Sequence, residues 1–256
     1  MSLTSFPAAI SYAVGAVRSI LAGSVLPDKV VLYLTFSDFG EAGIPKVLLE
    51  LTQNNPIFEI RNHEPDLHSY QKLIPALKDF PEAVIVTVDD DVAYHRHLLR
   101  DLLRVHREMP DAIIAHRVRR IILDAPYHEW KRYKWYHFLK KRIHAGYKNL
   151  QTGVGGVLYP PHSLKEDMLD VELYSKIAPT TDDIWFWAAA VANKRKIVPV
   201  PFGKNHLHYV GKPLDISLKK VNIKSGVDRN NATMQALLEK FPNIRQIIKD
   251  EERSVK

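Results

Sequence analysis

Short apolar runs alternate with amphipathic segments along the first half of the chain. The run at 83–88, AVIVTV, is apolar at successive positions, which is typical of a strand buried on both faces of a parallel sheet. Between such runs, apolar residues recur at helical spacing, as at Ile10, Val14, Val17 and Leu21. Strands and helices in rotation favour an α/β sheet with right-handed crossovers. The pattern predicts strands at 2–5, 29–35, 57–62, 83–88 and 111–118, and helices at 8–23, 44–53, 69–80 and 96–109.

The second half of the chain is less regular. Basic and aromatic residues dominate 117–148, and the Gly-rich stretch at 152–161 predicts a strand. An apolar helix at 182–195, a strand at 196–201 and surface helices in the tail at 230–256 follow. We interpret the chain as one domain, 1–256, with a regular part at 1–116, an irregular part at 117–210 and C-terminal tail helices within 211–256. The strand at 2–5 is short for a central strand, so we expect that its natural beginning precedes this sequence.

Composition indicates an ordinary globular protein. The 256 residues are 46% hydrophobic and 25% charged, and no apolar run reaches the ~20 residues that span a bilayer. The chain has no cysteine, which excludes disulfides and thiolate metal sites and is compatible with a reducing compartment. We therefore expect a cytoplasmic protein.

The chain is basic, with a formal net charge of +7, which favours anionic partners. A nucleic-acid-binding protein is one alternative that this charge leaves open. The excess is concentrated in 129–144, which carries one acidic residue against six basic ones: Lys131, Arg132, Lys134, Lys140, Lys141 and Arg142.

Three consecutive aspartates follow the apolar run at 83–88. Ligands of open α/β sheets bind outside the carboxyl ends of the strands, where Asp89, Asp90 and Asp91 would lie. In extended backbone Asp89 and Asp91 point the same way, and two carboxylates form a hard oxygen site for Mg²⁺ or Mn²⁺. Alternatively, the aspartates form a solvated turn that caps the following helix.

A second acidic pair, Asp182 and Asp183, lies at the predicted start of the apolar helix, after Thr180 and Thr181. The threonines and acids could simply cap the helix, with Trp185 and its neighbours in the core. The functional alternative is a general base, preferably Asp183, whose pKa the helix N-terminus would lower.

Further candidates are spread over the chain. His206 and His208 share a side at strand spacing, and a neutral imidazole, preferably that of His208, could complete a Mn²⁺ shell; two partly exposed histidines are the alternative. Lys72 could reach a phosphate or lie on a solvated helix face. The glycines at 153, 155 and 156 do not have dinucleotide-motif spacing and would mark either a close approach to a ligand or a bulge.

The stretch VIVTVDDDVAY at 84–94 resembles the metal-binding aspartate motif of GT-A fold nucleotide-sugar glycosyltransferases, in the triple-aspartate form of exostosin-like and some bacterial polysaccharide-building enzymes. Other segments resemble that family in the expected order over roughly 2–210. They are SLTSFPAAI at 2–10, PDKVVLYLT at 27–35, HSYQKLIPAL at 68–77 and TTDDIWFWAAA at 180–190.

The resemblance implies a GT-A type α/β fold, with a Rossmann-like, mostly parallel central sheet flanked by helices. Residues 1–116 would bind the nucleotide and 117–210 the acceptor. Asp91 would ligate Mn²⁺ or Mg²⁺, with Asp89 near the ribose or a metal-bound water and Asp90 beside the sugar. Asp183 or Asp182 would bind or deprotonate the acceptor. The residues that would contact the nucleotide are Thr4, Ser5, Phe6, Pro7 and Lys72.

The implied activity is metal-dependent transfer of a hexose or N-acetylhexosamine from a nucleoside-diphosphate sugar, which we expect to be UDP-linked, to a hydroxyl of a glycan or lipid-linked acceptor in polysaccharide synthesis. Inversion and retention both remain open. The basic stretch 130–142 could cover an anionic or lipid-linked acceptor, rest on an acidic membrane at its inner face with Trp130, Trp135 and Phe138 inserted, or simply form a solvated helix. We expect no nucleic-acid partner. The enzymatic alternatives are a haloacid-dehalogenase-like phosphatase, although Ala93 occupies the position of its usual Thr or Val, and a sugar nucleotidyltransferase, whose Gly-rich loop is absent at 2–12.

Overall fold

The computed structural model describes residues 1–134, 144–201, 207–209 and 228–254. Its strands are β1 (Ser2–Thr4), β2 (Val30–Leu34), β3 (Phe58–Asn62), β4 (Ile85–Thr87), β5 (Val92–Tyr94), β6 (Ile113–Ala115), β7 (Val118–Arg120), β8 (Lys131–Arg132), β9 (Asn149–Gln151), β10 (Val157–Tyr159), β11 (Ile197–Pro199) and β12 (Leu207–Tyr209). Its α-helices are α1 (Ile10–Leu21), α2 (Lys46–Asn54), α3 (Ile74–Asp79), α4 (Leu98–Glu108), α5 (Val171–Ile177), α6 (Asp182–Ala192), α7 (Arg229–Lys240) and α8 (Pro242–Ser254).

The central sheet has seven strands in the order β11-β6-β10-β4-β1-β2-β3. Strand β10 is antiparallel to both of its neighbours, and all the other neighbouring pairs are parallel. The register places Ser2 beside Val31 on one side and beside Thr87 on the other. The carboxyl ends of β1, β2 and β4 therefore meet at one edge of the sheet. The predicted mixed α/β fold with a mostly parallel sheet is confirmed.

Both faces of this sheet are covered. Along β2, Val30, Leu32 and Leu34 belong to one hydrophobic cluster, and Val31 and Tyr33 belong to the other. This alternation follows from the strand period of two, and it explains why all five residues of β2 are buried. The continuous apolar runs of the sequence therefore reflect a sheet between two layers of helices.

Helix α6 lies in the centre of one of these layers. Its sequence, DDIWFWAAAVA, is apolar all round after the two aspartates, and nine of its eleven residues are buried. Such a helix has to be enclosed by other elements. Helices α7 and α8 supply part of this cover, and their buried residues join the same cluster: Met234, Leu237, Leu238, Ile244 and Ile248. The tail is helical as predicted, but it contributes to the core rather than lying on the surface.

Two predicted elements are divided in the structure. The single helix expected at 69–80 is a 3₁₀ turn, His68–Lys72, followed by α3 with Pro75 in its first turn, where a missing N–H is tolerated. The Gly-rich strand expected at 152–161 begins instead as a 3₁₀ turn, Gly153–Gly155, and becomes β10 after Gly156, whose φ is 84°. Gly156 has a left-handed conformation that suits glycine.

Two smaller sheets complete the described fold. Strands β8, β7 and β9 form an antiparallel sheet in that order, and β12 pairs antiparallel with β5. Within the described residues, no helix is long and apolar enough to cross a membrane. The proposed division at 1–116, 117–210 and 211–256 stays a prediction.

Replacing Ile248 by alanine tests the structural role of the C-terminal helices. Ile248 is fully buried, so Ile248→Ala should lower the free energy of unfolding by about 2–5 kcal/mol through lost burial and a residual cavity. Chemical denaturation measures this change. The matched control is Lys249→Ala, at an exposed position of the same helix, and equal stability of the two variants would show that α8 does not belong to the core.

Candidate active site

The loop after β1 contacts the aspartate segment at the carboxyl edge of the sheet. Strands β1 and β4 are parallel neighbours, so the residues that follow them lie side by side. The Oγ of Ser5 donates a 2.6 Å hydrogen bond to Oδ2 of Asp90, and both residues are buried. Thr4 Oγ1 donates to the carbonyl of Tyr33 at 2.9 Å, which links this loop to β2. The structure thus brings Ser5 and Asp90 together.

Beyond Thr4 and Ser5, the predicted nucleotide contacts Phe6 and Pro7 are exposed, and Phe6 is 39% accessible. An exposed aromatic ring at the carboxyl edge of a parallel sheet is placed where ligands of such sheets bind. The contact of these residues with a nucleotide stays a prediction.

The three aspartates lie beyond the strand rather than on it. Strand β4 ends at Thr87, and Asp90 and Asp91 form a turn before β5. We expected Asp89 and Asp91 to point the same way because side chains alternate along extended backbone. That argument does not apply here, since Asp90 and Asp91 form a turn. The turn is held by Tyr94, whose Oη accepts a hydrogen bond from the Asp89 N–H at 2.8 Å and donates to the Val154 carbonyl at 3.3 Å.

Lys72 is the buried cation of the site. Its Nζ lies 2.9 Å from Oδ1 of Asp89 and 3.0 Å from Oδ2 of Asp182, and its side chain is only 9% exposed. Burial acts to lower the pKa of Lys72, but Asp182, Asp89 and Asp183 outweigh burial and hold that pKa well above its usual value. The alternative of a solvated lysine on a helix face is excluded, and contact with a nucleotide stays a prediction.

The turn that carries Lys72 is fixed from several sides. The Lys72 carbonyl accepts a 2.6 Å hydrogen bond from Ser2 Oγ on β1. Two residues earlier, the Tyr70 ring stacks on Tyr174 at 4.1 Å, and its Oη donates to the Ala178 carbonyl at 2.6 Å. These contacts connect the central sheet to the segment that precedes α6, so the lysine reaches two carboxylates that are far apart in sequence, those of Asp89 and Asp182.

The two aspartates of α6 have different environments. The Asp182 carboxylate pairs with Lys72, whereas Asp183 Oδ1 accepts a 2.8 Å hydrogen bond from the Gly153 N–H. Burial first, and Asp182 second, raise the pKa of Asp183 to about 7. The expectation that the helix N-terminus lowers this pKa is wrong, because burial and the neighbouring carboxylate outweigh the helix dipole.

The side chain of Thr181 does not cap helix α6 as the sequence had suggested. Thr181 precedes α6 but makes no side-chain capping bond. Its hydroxyl instead forms a 2.8 Å hydrogen bond with the Thr233 hydroxyl on α7, and both residues are buried. The C-terminal helices therefore brace the start of the helix that carries the acidic pair.

Gly153 lies where these charged groups converge. A Cβ added at this residue would lie 2.5 Å from Lys72 Nζ, 3.2 Å from Asp89 Oδ1 and 3.3 Å from Asp183 Oδ1. A side chain would thus displace the lysine or separate the carboxylates. The sequence did not predict the role of Gly153. Its glycines indicated either a close approach to a ligand or a bulge, whereas the fold brings Lys72, Asp89 and Asp183 to Gly153. Tyr94 was likewise missed, because a tyrosine in a strand carries no specific signal.

The remaining predicted residues fall into three groups. His208 lies in β12 opposite Ala93, which is two residues beyond Asp91, so its backbone adjoins the aspartate turn. His206 lies outside the described residues, and so do Lys204 and Lys212, whose contact with a diphosphate stays a prediction against the alternative of surface lysines. Trp185 is fully buried and donates its indole N–H to the Met168 carbonyl at 2.7 Å, which places it in the core.

The membrane-insertion hypothesis is wrong for Trp130. Trp130 is 2% exposed, and its indole N–H donates to the carbonyls of Ile122 and Ala125 at 3.1 and 3.0 Å. Trp135 and Phe138, the other two residues of that hypothesis, lie outside the described residues.

The donor set of the aspartate turn fits Mg²⁺ or Mn²⁺. Over the described parts of the chain, no three His, Asp or Glu side chains form a ready-made metal site. Mg²⁺ typically uses only one or two protein carboxylates, with waters and substrate phosphates as its other ligands. Asp91 and the 27%-exposed Asp89 side chain can supply these oxygens, with Lys72 retaining its contact with Asp89 Oδ1.

Comparisons with known proteins establish the fold. No family model and no curated protein matches the chain. Among solved structures, it is similar to Staphylococcus aureus TarS 1-349, with 14% identity over 81% of this chain and a TM-score of 0.50. It is also similar to the mannosyltransferase PcManGT from Pyrobaculum calidifontis in complex with GDP-Man and Mn²⁺, with 11% identity over 96% of this chain and 72% of that one, and a TM-score of 0.52. The chain spans 58% of TarS 1-349. The predicted GT-A type α/β fold is confirmed.

Replacing Asp183 by asparagine tests the environment of this residue. Folding raises the pKa of Asp183 from 3.8 to about 7, so the ionised carboxylate destabilises the folded protein. This loss of stability is absent below pH 3.8 and complete above about pH 7. The wild-type protein should therefore lose stability as the pH rises through this interval. The asparagine side chain would keep an oxygen for the Gly153 N–H but carry no charge.

We expect Asp183→Asn to unfold with a free energy higher by the order of 1–3 kcal/mol at pH 8, and unchanged at pH 4, in denaturant titrations. The control is Asp167→Asn, at an exposed position. If Asp183→Asn has the same effect at both pH values, the charged form is not penalised by the fold.

Proposed function

We propose that this protein is a metal-dependent glycosyltransferase that moves a sugar from a nucleoside-diphosphate donor to a hydroxyl acceptor. The observation that carries the proposal is the convergence of two acidic segments on Lys72 and Gly153. Asp89 comes from the aspartate segment after β4, and Asp182 and Asp183 begin α6. Donor-side and acceptor-side groups of a transferase have to meet in this way, because the sugar passes directly between them.

The donor side is the carboxyl edge of β1, β2 and β4. This is the edge at which ligands of open α/β sheets bind, and Thr4, Ser5, Phe6 and Pro7 lie there. The similarity to a mannosyltransferase that holds GDP-Man and Mn²⁺ supports a nucleotide sugar as ligand and a divalent cation as cofactor. The resemblance of the sequence to triple-aspartate enzymes supports a UDP-linked donor.

Asp91 and Asp89 would hold the cation, with His208 as a third ligand. The bound cation would neutralise the diphosphate as negative charge builds up on the leaving group. The Ser5–Asp90 hydrogen bond and the Tyr94–Asp89 hydrogen bond hold the turn in one shape, so its carboxylates need little reorganisation. Lys72 pairs with Asp89 and compensates part of the negative charge of the site.

Asp183 is the preferred general base. An efficient base has a pKa near the working pH, and burial together with Asp182 raises the pKa of Asp183 to about 7. Asp182 instead pairs directly with Lys72, which gives it a positioning role. Two adjacent carboxylates thus have distinct environments, which is how proteins assign separate roles to neighbouring acids.

Donor binding provides the first test. We expect one nucleoside diphosphate, and its sugar derivative, to raise the melting temperature only when Mn²⁺ or Mg²⁺ is present, because the cation links the diphosphate to Asp91. Asp91→Ala should abolish the shift, and Asp167→Ala, at an exposed position remote in sequence, should retain it. A screen of all common nucleoside diphosphates with and without Mn²⁺ measures this.

Two results would contradict the proposal. One is the absence of stabilisation by any nucleoside diphosphate in the presence of the cation. The other is salt-dependent affinity for DNA or RNA that survives Asp91→Ala, which would favour a nucleic-acid-binding protein instead.

The pH dependence of turnover tests the base. With water as the acceptor, the rate at which the nucleoside diphosphate is released from the donor should rise with pH. The midpoint of this rise should be about pH 7, because Asp183 then loses its proton. Asp183→Asn should lower kcat by roughly 10²–10⁴-fold and remove this pH dependence, with donor affinity unchanged. If Asp183→Asn keeps the wild-type kcat, or if it also loses donor binding, Asp183 is not the general base.

A further inference from the structure

Helix α4 carries a row of exposed arginines on the side that faces away from the core. The opposite side packs into the hydrophobic cluster of that layer through four buried residues: Leu98, Leu99, Leu102 and Val105. Arg100, Arg104 and Arg107 are exposed and lie four and three residues apart, so they share one side of the helix. Arg96 is exposed in the turn just before the helix, four residues ahead of Arg100. We call these four residues the arginine stripe.

The stability of the fold does not account for the arginine stripe. Like charges three or four residues apart on a helix repel one another, and Arg96 and Arg100 lie near the positive N-terminal end of α4. Arg100 is paired with Asp101, with its Nη2 2.9 Å from Oδ1. Within the described residues, the side chains of Arg96, Arg104 and Arg107 form no hydrogen bond or ion pair. An anionic partner would offset this repulsion.

The geometry of the arginine stripe suits an extended anionic surface rather than a small anion. Arg100 and Arg107 are seven residues apart, which corresponds to a rise of about 10 Å along an α-helix. Their side chains extend from the outer side of a single helix, so they do not enclose an ion as side chains from facing elements would. A surface that carries many anionic groups can contact all the arginines at once.

Exposed apolar residues lie near both ends of α4. Met109 follows the helix directly and is 42% exposed, and Leu26 is 54% exposed. Leu26 lies two residues after Ser24, whose N–H donates to the Arg96 carbonyl at 2.7 Å, so this loop adjoins the start of the stripe. Apolar side chains beside basic ones are typical of surfaces that rest on a bilayer, where the apolar groups enter the headgroup region. A bilayer that contains anionic lipids therefore fits both the charge and the apolar residues.

We propose that the arginine stripe binds the anionic headgroups of a lipid bilayer and holds the protein at the membrane surface. A guanidinium pairs with phosphate oxygens through two N–H donors. Each basic residue near an anionic membrane strengthens binding about fivefold. The stripe uses none of the residues of the candidate active site, so this inference goes beyond the proposed function.

Sedimentation with lipid vesicles tests the proposal on the full chain. The protein should bind vesicles of phosphatidylcholine that contain about 30% phosphatidylglycerol, and it should not bind vesicles of phosphatidylcholine alone. Added salt should release it, because salt screens charge contacts made in water. Arg104→Gln combined with Arg107→Gln should weaken vesicle binding at least about tenfold. Both positions are exposed, so the melting temperature of this double variant should equal that of the wild type.

Two further double variants separate the position of the charge from its amount. Lys249→Gln combined with Arg253→Gln removes the same charge from exposed positions of α8 and should leave vesicle binding unchanged. Arg104→Lys combined with Arg107→Lys keeps the charge and should retain most of the binding. Soluble glycerol 3-phosphate should compete poorly with the vesicles, because a single small anion cannot contact the whole stripe.

Several results would overturn the proposal. They are the absence of binding to the anionic vesicles, equal binding to the neutral ones, and binding that Arg104→Gln with Arg107→Gln leaves intact. Affinity for a DNA duplex that this variant abolishes, without any affinity for vesicles, would assign the stripe to nucleic acid instead and would also overturn it. Nucleoside-diphosphate binding with Mn²⁺ should be unchanged in the same variant, so vesicle binding and the proposed function can fail independently.

Discussion

The contact of one buried lysine with two carboxylates holds the candidate site together. Lys72 pairs with Asp89 beyond β4 and with Asp182 at the start of α6. A buried charge without a partner costs folding free energy, so removing either the lysine or its two carboxylates would strongly destabilise the charge that is left. The ion pairs therefore do more than stabilise the fold: they fix the distance between the edge of the sheet and the helix that carries Asp183. Gly153 makes this possible because any side chain there would occupy the space of the lysine.

Environment, rather than residue type, distinguishes the acids of the site. Ser5 donates to Asp90, Lys72 pairs with Asp89 and Asp182, and a backbone N–H donates to Asp183. Burial and the neighbouring Asp182 carboxylate raise the pKa of Asp183 to about 7.

Much of the fold follows from local sequence pattern. The alternation of apolar runs and helical spacing predicted the central-sheet strands and the α-helices of the first half, but not β5 or β7, and the apolar run in α6 predicted a helix. The division at Gly156 was missed, because a left-handed glycine depends on the neighbouring backbone. For the site, the sequence indicated the aspartates and Lys72 as candidates. It could not predict that Lys72 pairs with Asp182, or that burial raises the pKa of Asp183, since both depend on contacts between segments far apart in sequence.

The proposed function requires that the aspartate turn and Asp183 enclose one site for a cation and a nucleoside diphosphate. Crystals grown with Mn²⁺ and the nucleoside diphosphate that stabilises the protein, measured at the manganese absorption edge, test it most directly. We expect an anomalous peak beside the Asp91 carboxylate, with the diphosphate between that peak and the loop at Ser5, and Asp183 facing the terminal phosphate. A manganese peak elsewhere on the chain, or a nucleotide bound away from Asp89, Asp91 and Asp183, would contradict it.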